Sequence, residues 1–167
     1  MLFVCIDNKL SELDRAGAAV VARGHACKRI EAKGLLADYI RQIEEADVIL
    51  TDLFFNPSHP DSGNHAKYAA SEPPAGLLVA LHALKCNKVV VICTDEGEKT
   101  SHHSEGMSWI YDCYVSSKAT TDAPSSGYTP RFPKPRLGWN DRKDWSKAVA
   151  IGEYLVQLEA TKQSPAS

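Results

Sequence analysis

A run of branched apolar residues, Val48-Ile49-Leu50, leads into Thr51 and Asp52, and Pro57 stops the extended stretch a few residues later. Because no polar residue alternates within this run, it predicts a strand that is buried on both faces of a parallel sheet. In open α/β sheets, ligands bind outside the carboxyl ends of such strands. We therefore expect Asp52 to lie at a functional site.

Similar apolar runs alternate with helical patterns along the chain. We predict strands at 2–6, 26–31, 48–52, 88–94 and 109–115, and helices at 11–24, 34–45, 76–86 and 145–160. The first helix would be capped by Ser11 and stopped by Gly24, and the second strand, which is poor in apolar residues, would lie at or near an edge. Long irregular connections are expected at 58–75 and 116–140, which are rich in Pro, Ser, Thr and Gly.

This alternation predicts one α/β domain over residues 1–167, with a doubly wound five-stranded parallel sheet and helices on both faces. The flavodoxin-like strand order 2-1-3-4-5 is our first choice. In that order the first and third strands are neighbours. Asp7, which follows the first strand, should then face Asp52.

Composition narrows the functional classes. The chain of 167 residues has a formal net charge of -2, which gives no overall attraction to nucleic acid or anionic membranes. No apolar segment is long enough to span a bilayer, so we expect a cytoplasmic protein. The five cysteines contain no Cys-x-x-Cys pair, and we expect reduced, mostly buried thiols. The oligomeric state is left open.

The pattern resembles the receiver domains of two-component response regulators. The resemblance rests on Asp7 after the first strand, on Asp52 followed by a turn proline, on Thr94 after the fourth strand and on Gly76 at the start of a helix. It covers roughly residues 1–118. It implies that Asp52 accepts a phosphoryl group, that Asp7 and Asp52 hold Mg²⁺, that the Thr94 hydroxyl binds the phosphoryl group, and that a lysine after the fifth strand balances the charge.

The chain departs from the receiver pattern at three points. Ile6 stands where the family has a first acidic residue, and Asp95 follows Thr94 where a small residue is usual. Aligning the predicted fifth strand with the family puts Ser116 at the lysine position, whereas Lys118 fits with a two-residue slip. We take Lys118 as the candidate lysine.

These residues lead to a first hypothesis and several alternatives. The first is a receiver-like regulatory domain that acts through a protein partner and is degenerate as a phosphoacceptor. The second is an active, Mg²⁺-dependent phosphoacceptor at Asp52. A third is a metal-dependent hydrolase in which Asp7 and Asp52 join loop residues, namely His59, Asp61, His65, His102 and His103. A fourth is a protein that binds a nucleotide or another anion at the strand ends. Each of Asp7, Asp52 and Thr94 could also serve only to satisfy local backbone groups.

Overall fold

The computed structural model describes residues 1–33, 40–53, 75–94, 114–115, 136–140 and 143–163. Within them, six strands are β1 (Leu2–Asp7), β2 (Ala26–Glu31), β3 (Val48–Thr51), β4 (Val89–Cys93), β5 (Tyr114–Val115) and β6 (Leu137–Asn140). Four helices are α1 (Leu10–Ala22), α2 (Ile40–Glu45), α3 (Ala75–Lys85) and α4 (Trp145–Gln163). None of the described helices combines the length and the apolar character needed to cross a membrane.

All strand pairs are parallel, and the sheet order is β2-β1-β3-β4-β6-β5. The predicted α/β class and the flavodoxin-like arrangement are confirmed, with β2 at one edge. The strand in the fifth position is β6, however, so the irregular connection expected up to residue 140 ends in a strand. The expected fifth strand at 109–115 is represented among the described residues by the two-residue β5, which lies outside β6 at the other edge.

Pairing with β4 explains why β6 forms in a weakly strand-like sequence. Its register runs from Val90 opposite Leu137 to Cys93 opposite Asn140, so the backbone groups of β6 are satisfied by a long, fully buried neighbour. Gly138 allows α4 to lie close to the strand, since a Cβ atom there would be 2.4 Å from Ile151 Cγ2. Tertiary contacts, rather than local propensity, therefore determine this strand.

The sheet separates two apolar cores. One lies beneath α2 and α3 and is formed by buried residues that include Ile6, Ile43, Ile49, Val79, Ala80, Ala83 and Ile92. The other lies beneath α1 and α4 and includes Phe3, Leu13, Val20, Leu50, Val91, Val149 and Leu155. The four cysteines in the described part of the chain, Cys5, Cys27, Cys86 and Cys93, carry free thiols.

Helix α1 differs from the sequence prediction at its start and agrees with it at its end. It starts at Leu10, with Lys9 at the N-cap and no side-chain cap, so the predicted Ser11 cap is wrong. The predicted stop at Gly24 is confirmed: this residue has a φ of 77°, and its N–H donates to the Val21 carbonyl at 2.9 Å. A glycine adopts this left-handed conformation without the steric penalty of a side chain.

Helix α3 starts directly against the end of β3. The Gly76 N–H donates to the Leu53 carbonyl at 3.0 Å, and a Cβ atom on Gly76 would lie 1.7 Å from the Asp52 carbonyl oxygen. Only a residue without a side chain fits at this approach of helix to strand. The start of α3 is therefore packed against the backbone of Asp52 and Leu53.

Candidate functional site

Asp7 and Asp52 lie at the carboxyl ends of adjacent strands, as predicted. Ile6 of β1 is in register with Thr51 of β3, and the next residue along the chain is an aspartate in both cases: Asp7 ends β1 and Asp52 directly follows β3. Both residues are buried: Asp7 has no exposed surface and Asp52 is 6% exposed. Asp7 Oδ1 accepts a hydrogen bond from the Lys9 N–H at 2.8 Å. Asp52 Oδ1 accepts one from the Leu53 N–H, also at 2.8 Å.

The remaining oxygen of each carboxylate contacts the same ammonium group, that of Lys143. Lys143 Nζ donates a hydrogen bond to Asp52 Oδ2 at 2.8 Å and lies 2.9 Å from Asp7 Oδ2. The second contact is a salt bridge at hydrogen-bonding distance. Lys143 is 3% exposed, so the three charges form a buried cluster. We call it the Asp7–Asp52–Lys143 cluster.

Backbone contacts at the end of β4 position Lys143. The Thr94 N–H donates to the Asn140 carbonyl at 2.9 Å, and the Lys143 N–H donates to the Thr94 carbonyl at 3.0 Å. The following residue, Asp144, caps α4 by accepting a hydrogen bond from the Lys147 N–H at 3.2 Å. Lys143 is therefore held between a strand end and a helix start.

The backbone of Lys143 is strained. Its φ of 45° lies in the left-handed region, which costs a residue with a side chain about 1–2 kcal/mol. Such outliers persist where the surrounding structure determines them, and they concentrate at functional sites. Here the strained backbone directs the side chain to the two carboxylates.

Burial and mutual attraction act against each other in the cluster. Burial raises the pKa of Asp52, the Lys143 charge lowers it and the Asp7 charge raises it, with a net result of about 6. For Lys143, burial lowers the pKa, but attraction by Asp52 and Asp7 outweighs it and raises the pKa above that of a free lysine. The ammonium therefore stays charged at neutral pH. Asp52 is mainly ionised there, with a proton affinity higher than that of a surface aspartate.

The structure brings together three of the elements that the sequence analysis singled out. Asp7 and Asp52 share Lys143, and Thr94 lies buried at the end of β4, linked through its backbone to the loop that carries this lysine. The candidate lysine Lys118 lies outside the described residues, as do Ser116 and Asp95. The lysine that reaches the carboxylates is Lys143, which the sequence analysis did not single out.

The hydrolase hypothesis adds five loop residues to Asp7 and Asp52. His59, Asp61, His65, His102 and His103 all fall outside the described residues.

A signal for Lys143 was nevertheless present in the sequence. The short apolar run Leu137-Gly138-Trp139 precedes it and a helical pattern starts at Trp145, which together give a strand, a turn and a helix with a lysine in the turn.

The fold is shared with known proteins. It is similar to the N-terminal domain of a response regulator/sensory box/GGDEF three-domain protein from Carboxydothermus hydrogenoformans, with a TM-score of 0.54 and 10% identity over 98% of this chain and 100% of that one. A fusion structure carrying a trimeric coiled coil of yeast Spc42 gives a TM-score of 0.56 and 10% identity, over 97% of this chain and 83% of that one. No protein-family model and no curated protein sequence matches the chain. The chain thus shares its fold with the N-terminal domain of this response regulator.

Proposed function

We propose that the chain is a receiver-like regulatory domain that acts through a protein partner and does not depend on phosphorylation. The observation that carries the proposal is the position of the Lys143 ammonium, which lies within 2.9 Å of one oxygen of each carboxylate. A buried cation there neutralises charge that Mg²⁺ would otherwise have to neutralise. The cluster can therefore hold one conformation without a metal ion.

Two further observations support a degenerate acceptor. Ile6 occupies the position of the family's first acidic residue and is fully buried in the apolar core, so it supplies no metal ligand. Asp52 has both carboxylate oxygens in hydrogen bonds, one with Leu53 and one with Lys143. A phosphoryl donor would have to displace at least part of this bonding before in-line attack by the carboxylate.

The alternative is an active phosphoacceptor at Asp52, and one observation favours it. Lys143 follows the strand in the fifth position of the sheet, where the receiver resemblance expects a lysine, and its ammonium lies 2.8 Å from Asp52 Oδ2. Asp7 and Asp52 would hold Mg²⁺, whose charge would offset that of the transferring phosphoryl group. Asp52 would act as the nucleophile, Lys143 would pair with the added phosphoryl oxygens, and the Thr94 hydroxyl would donate to them.

Phosphoryl uptake separates the two functions. The purified chain is incubated with acetyl phosphate or phosphoramidate and Mg²⁺, and its intact mass is measured alongside Asp52→Asn. Asp47→Asn is the matched control, because Asp47 and Asp52 flank the same strand, β3. Asp47 lies at the amino end of β3, away from Asp52, and its carboxylate accepts a hydrogen bond from the Leu2 N–H. We expect no added phosphoryl group in any of the three. Uptake by the wild type and by Asp47→Asn, with none in Asp52→Asn, would establish the active phosphoacceptor instead.

A partner-binding role makes a separate prediction. If regulation does not require phosphorylation, the wild type and Asp52→Asn should capture the same proteins from an extract, whether or not a phosphodonor is present. A partner that binds only after phosphodonor treatment of the wild type would contradict the proposal.

A further inference from the structure

A second group of polar side chains lies far from the aspartates, where α2 and α3 approach each other. Glu44 belongs to α2, whereas His82 lies in the last turn of α3 and Cys86 immediately follows that helix. One ligand atom from each of the three residues lies within 4.8 Å of the other two. Cys86 Sγ is 3.5 Å from His82 Nε2, and His82 Nε2 is 3.7 Å from Glu44 Oε1.

These separations match the edges of a zinc coordination tetrahedron. Zinc binds sulfur at about 2.3 Å and nitrogen or oxygen at about 2.0–2.2 Å, so a tetrahedral site separates sulfur from nitrogen by about 3.6 Å and nitrogen from oxygen by about 3.4 Å. The observed distances of 3.5 Å and 3.7 Å lie within a few tenths of an ångström of these values. A small movement of the Glu44 side chain, which is 52% exposed, would complete the third edge.

The end of α3 fixes two of the three ligands before any metal binds. His82 and Cys86 are four residues apart and share one helix face, and the Cys86 N–H donates to the His82 carbonyl at 3.0 Å. Asn87 then takes the left-handed conformation, with a φ of 59°, and the Lys88 N–H donates to the Ala83 carbonyl at 2.9 Å. This hydrogen-bonded helix end holds the backbone of the thiol and the imidazole in a fixed relation.

We propose that Glu44, His82 and Cys86 form a Zn²⁺ site. A thiolate and an imidazole suit Zn²⁺ rather than Mg²⁺ or Ca²⁺, and a carboxylate completes a donor set that zinc accepts in proteins. On binding, the Cys86 thiol releases its proton to solvent and the sulfur coordinates the metal as a thiolate. Three protein ligands leave a fourth position for water.

The proposed zinc site is independent of the Asp7–Asp52–Lys143 cluster. Glu44 precedes the start of β3 and Cys86 precedes the start of β4, so the site lies at the amino edge of the parallel sheet. The aspartates lie at the carboxyl edge. A bound zinc ion would join α2 to α3 across the amino ends of two central strands. It would therefore stabilise the folded chain by an amount that grows with free zinc concentration.

Cobalt substitution tests the donor set directly. The full chain is freed of metal with a chelator and titrated with Co²⁺, which reports thiolate coordination by a near-ultraviolet sulfur-to-cobalt absorption and four-coordinate geometry by intense visible bands. We expect both signals to saturate at one Co²⁺ per chain and to disappear when Zn²⁺ is added. Titration with no thiolate band would overturn the proposal.

Matched variants locate the site. We expect Cys86→Ser and His82→Asn to bind Zn²⁺ more than about 100-fold more weakly than the wild type, because losing a residue that merely orients a ligand already costs about 10- to 100-fold. Two control variants should bind Zn²⁺ as the wild type does. Cys27→Ser changes a half-buried cysteine outside the group, and Glu45→Gln changes the residue next to Glu44.

Folding and site location are checked in the same experiment. Circular dichroism and melting with chelator present show whether each variant is folded, and Glu44→Gln, at an exposed position, provides a variant that should fold normally and still bind zinc more weakly. Full-strength zinc binding in folded Cys86→Ser or His82→Asn would place the metal elsewhere and refute the assignment.

Discussion

Replacing Lys143 with Met removes the charge of the central cation while keeping a long unbranched side chain. Because both residues carry a Cβ atom, the strain at the φ of 45° is the same in each. The change leaves two buried carboxylates without their shared cation. Breaking a buried ion pair in this way costs about 3–5 kcal/mol. That is a large part of the about 5–15 kcal/mol by which a typical domain is stable.

The penalty should depend on pH. In the wild type the Lys143 charge lowers the pKa of Asp52, which is about 6, so the variant retains the Asp52 proton to a higher pH. The folded variant then binds more protons than the folded wild type above pH 6, and its stability falls more steeply as pH rises. We expect a smaller loss at pH 5 than at pH 8.

Urea unfolding at pH 5 and pH 8 measures both effects, and the melting temperature at pH 8 should fall by about 6–20 °C. Lys147→Met is the matched control: it is a lysine of α4 that is 64% exposed and pairs with Asp144 at 3.9 Å. Its stability should change by less than about 0.5 kcal/mol. A Lys143→Met protein as stable as Lys147→Met at pH 8 would refute the assignment of Lys143 as a buried counter-ion.

Two further predictions concern single sites. Asp52→Asn should become more stable relative to the wild type by about 2 kcal/mol as pH rises from 4 to 7. The reason is that the folded-state pKa of Asp52, about 6, exceeds the ordinary value of 3.8, so the wild type loses stability as pH rises through this range. Urea unfolding at several pH values that shows a constant difference would contradict this. Gly138→Ala should lose about 1–3 kcal/mol, because its Cβ would lie 2.4 Å from Ile151 Cγ2; a thermal melt that matches the wild type would show that α4 moves away at no cost.

The sequence predicted the central strands and the placement of the two aspartates for a simple reason. The runs of β1, β3 and β4 are uninterrupted and apolar, so their burial follows from composition alone. The flavodoxin-like order 2-1-3-4-5, our first choice, then places β1 beside β3. The alignment of Asp7 with Asp52 needs no more information than this order. Helix α4 was similarly clear, and its predicted start at Trp145 is confirmed.

The parts that sequence reasoning missed depend on contacts between distant segments. Strand β6 contains Gly138 and follows a proline-rich stretch, so its local pattern indicated a loop, whereas pairing with β4 makes it a strand. Lys143 follows Asp141 and Arg142, and a run of mixed charges is usually solvated. The hydrogen bond from its N–H to the Thr94 carbonyl and the contacts of its ammonium with Asp7 and Asp52 show that the chain turns inward at this point.

The contact between Leu53 and Gly76 has a consequence for how such a domain can diversify. The two ends of the segment 54–74 are held together, because the Gly76 N–H at the start of α3 donates a hydrogen bond of 3.0 Å to the Leu53 carbonyl just after β3. This contact does not depend on the length or the sequence of the segment. Doubling the length of a segment closed in this way costs only about 0.6 kcal/mol of loop entropy. The domain can therefore accept inserts of different length and content beside Asp52, each presented at the carboxyl edge of an unchanged sheet.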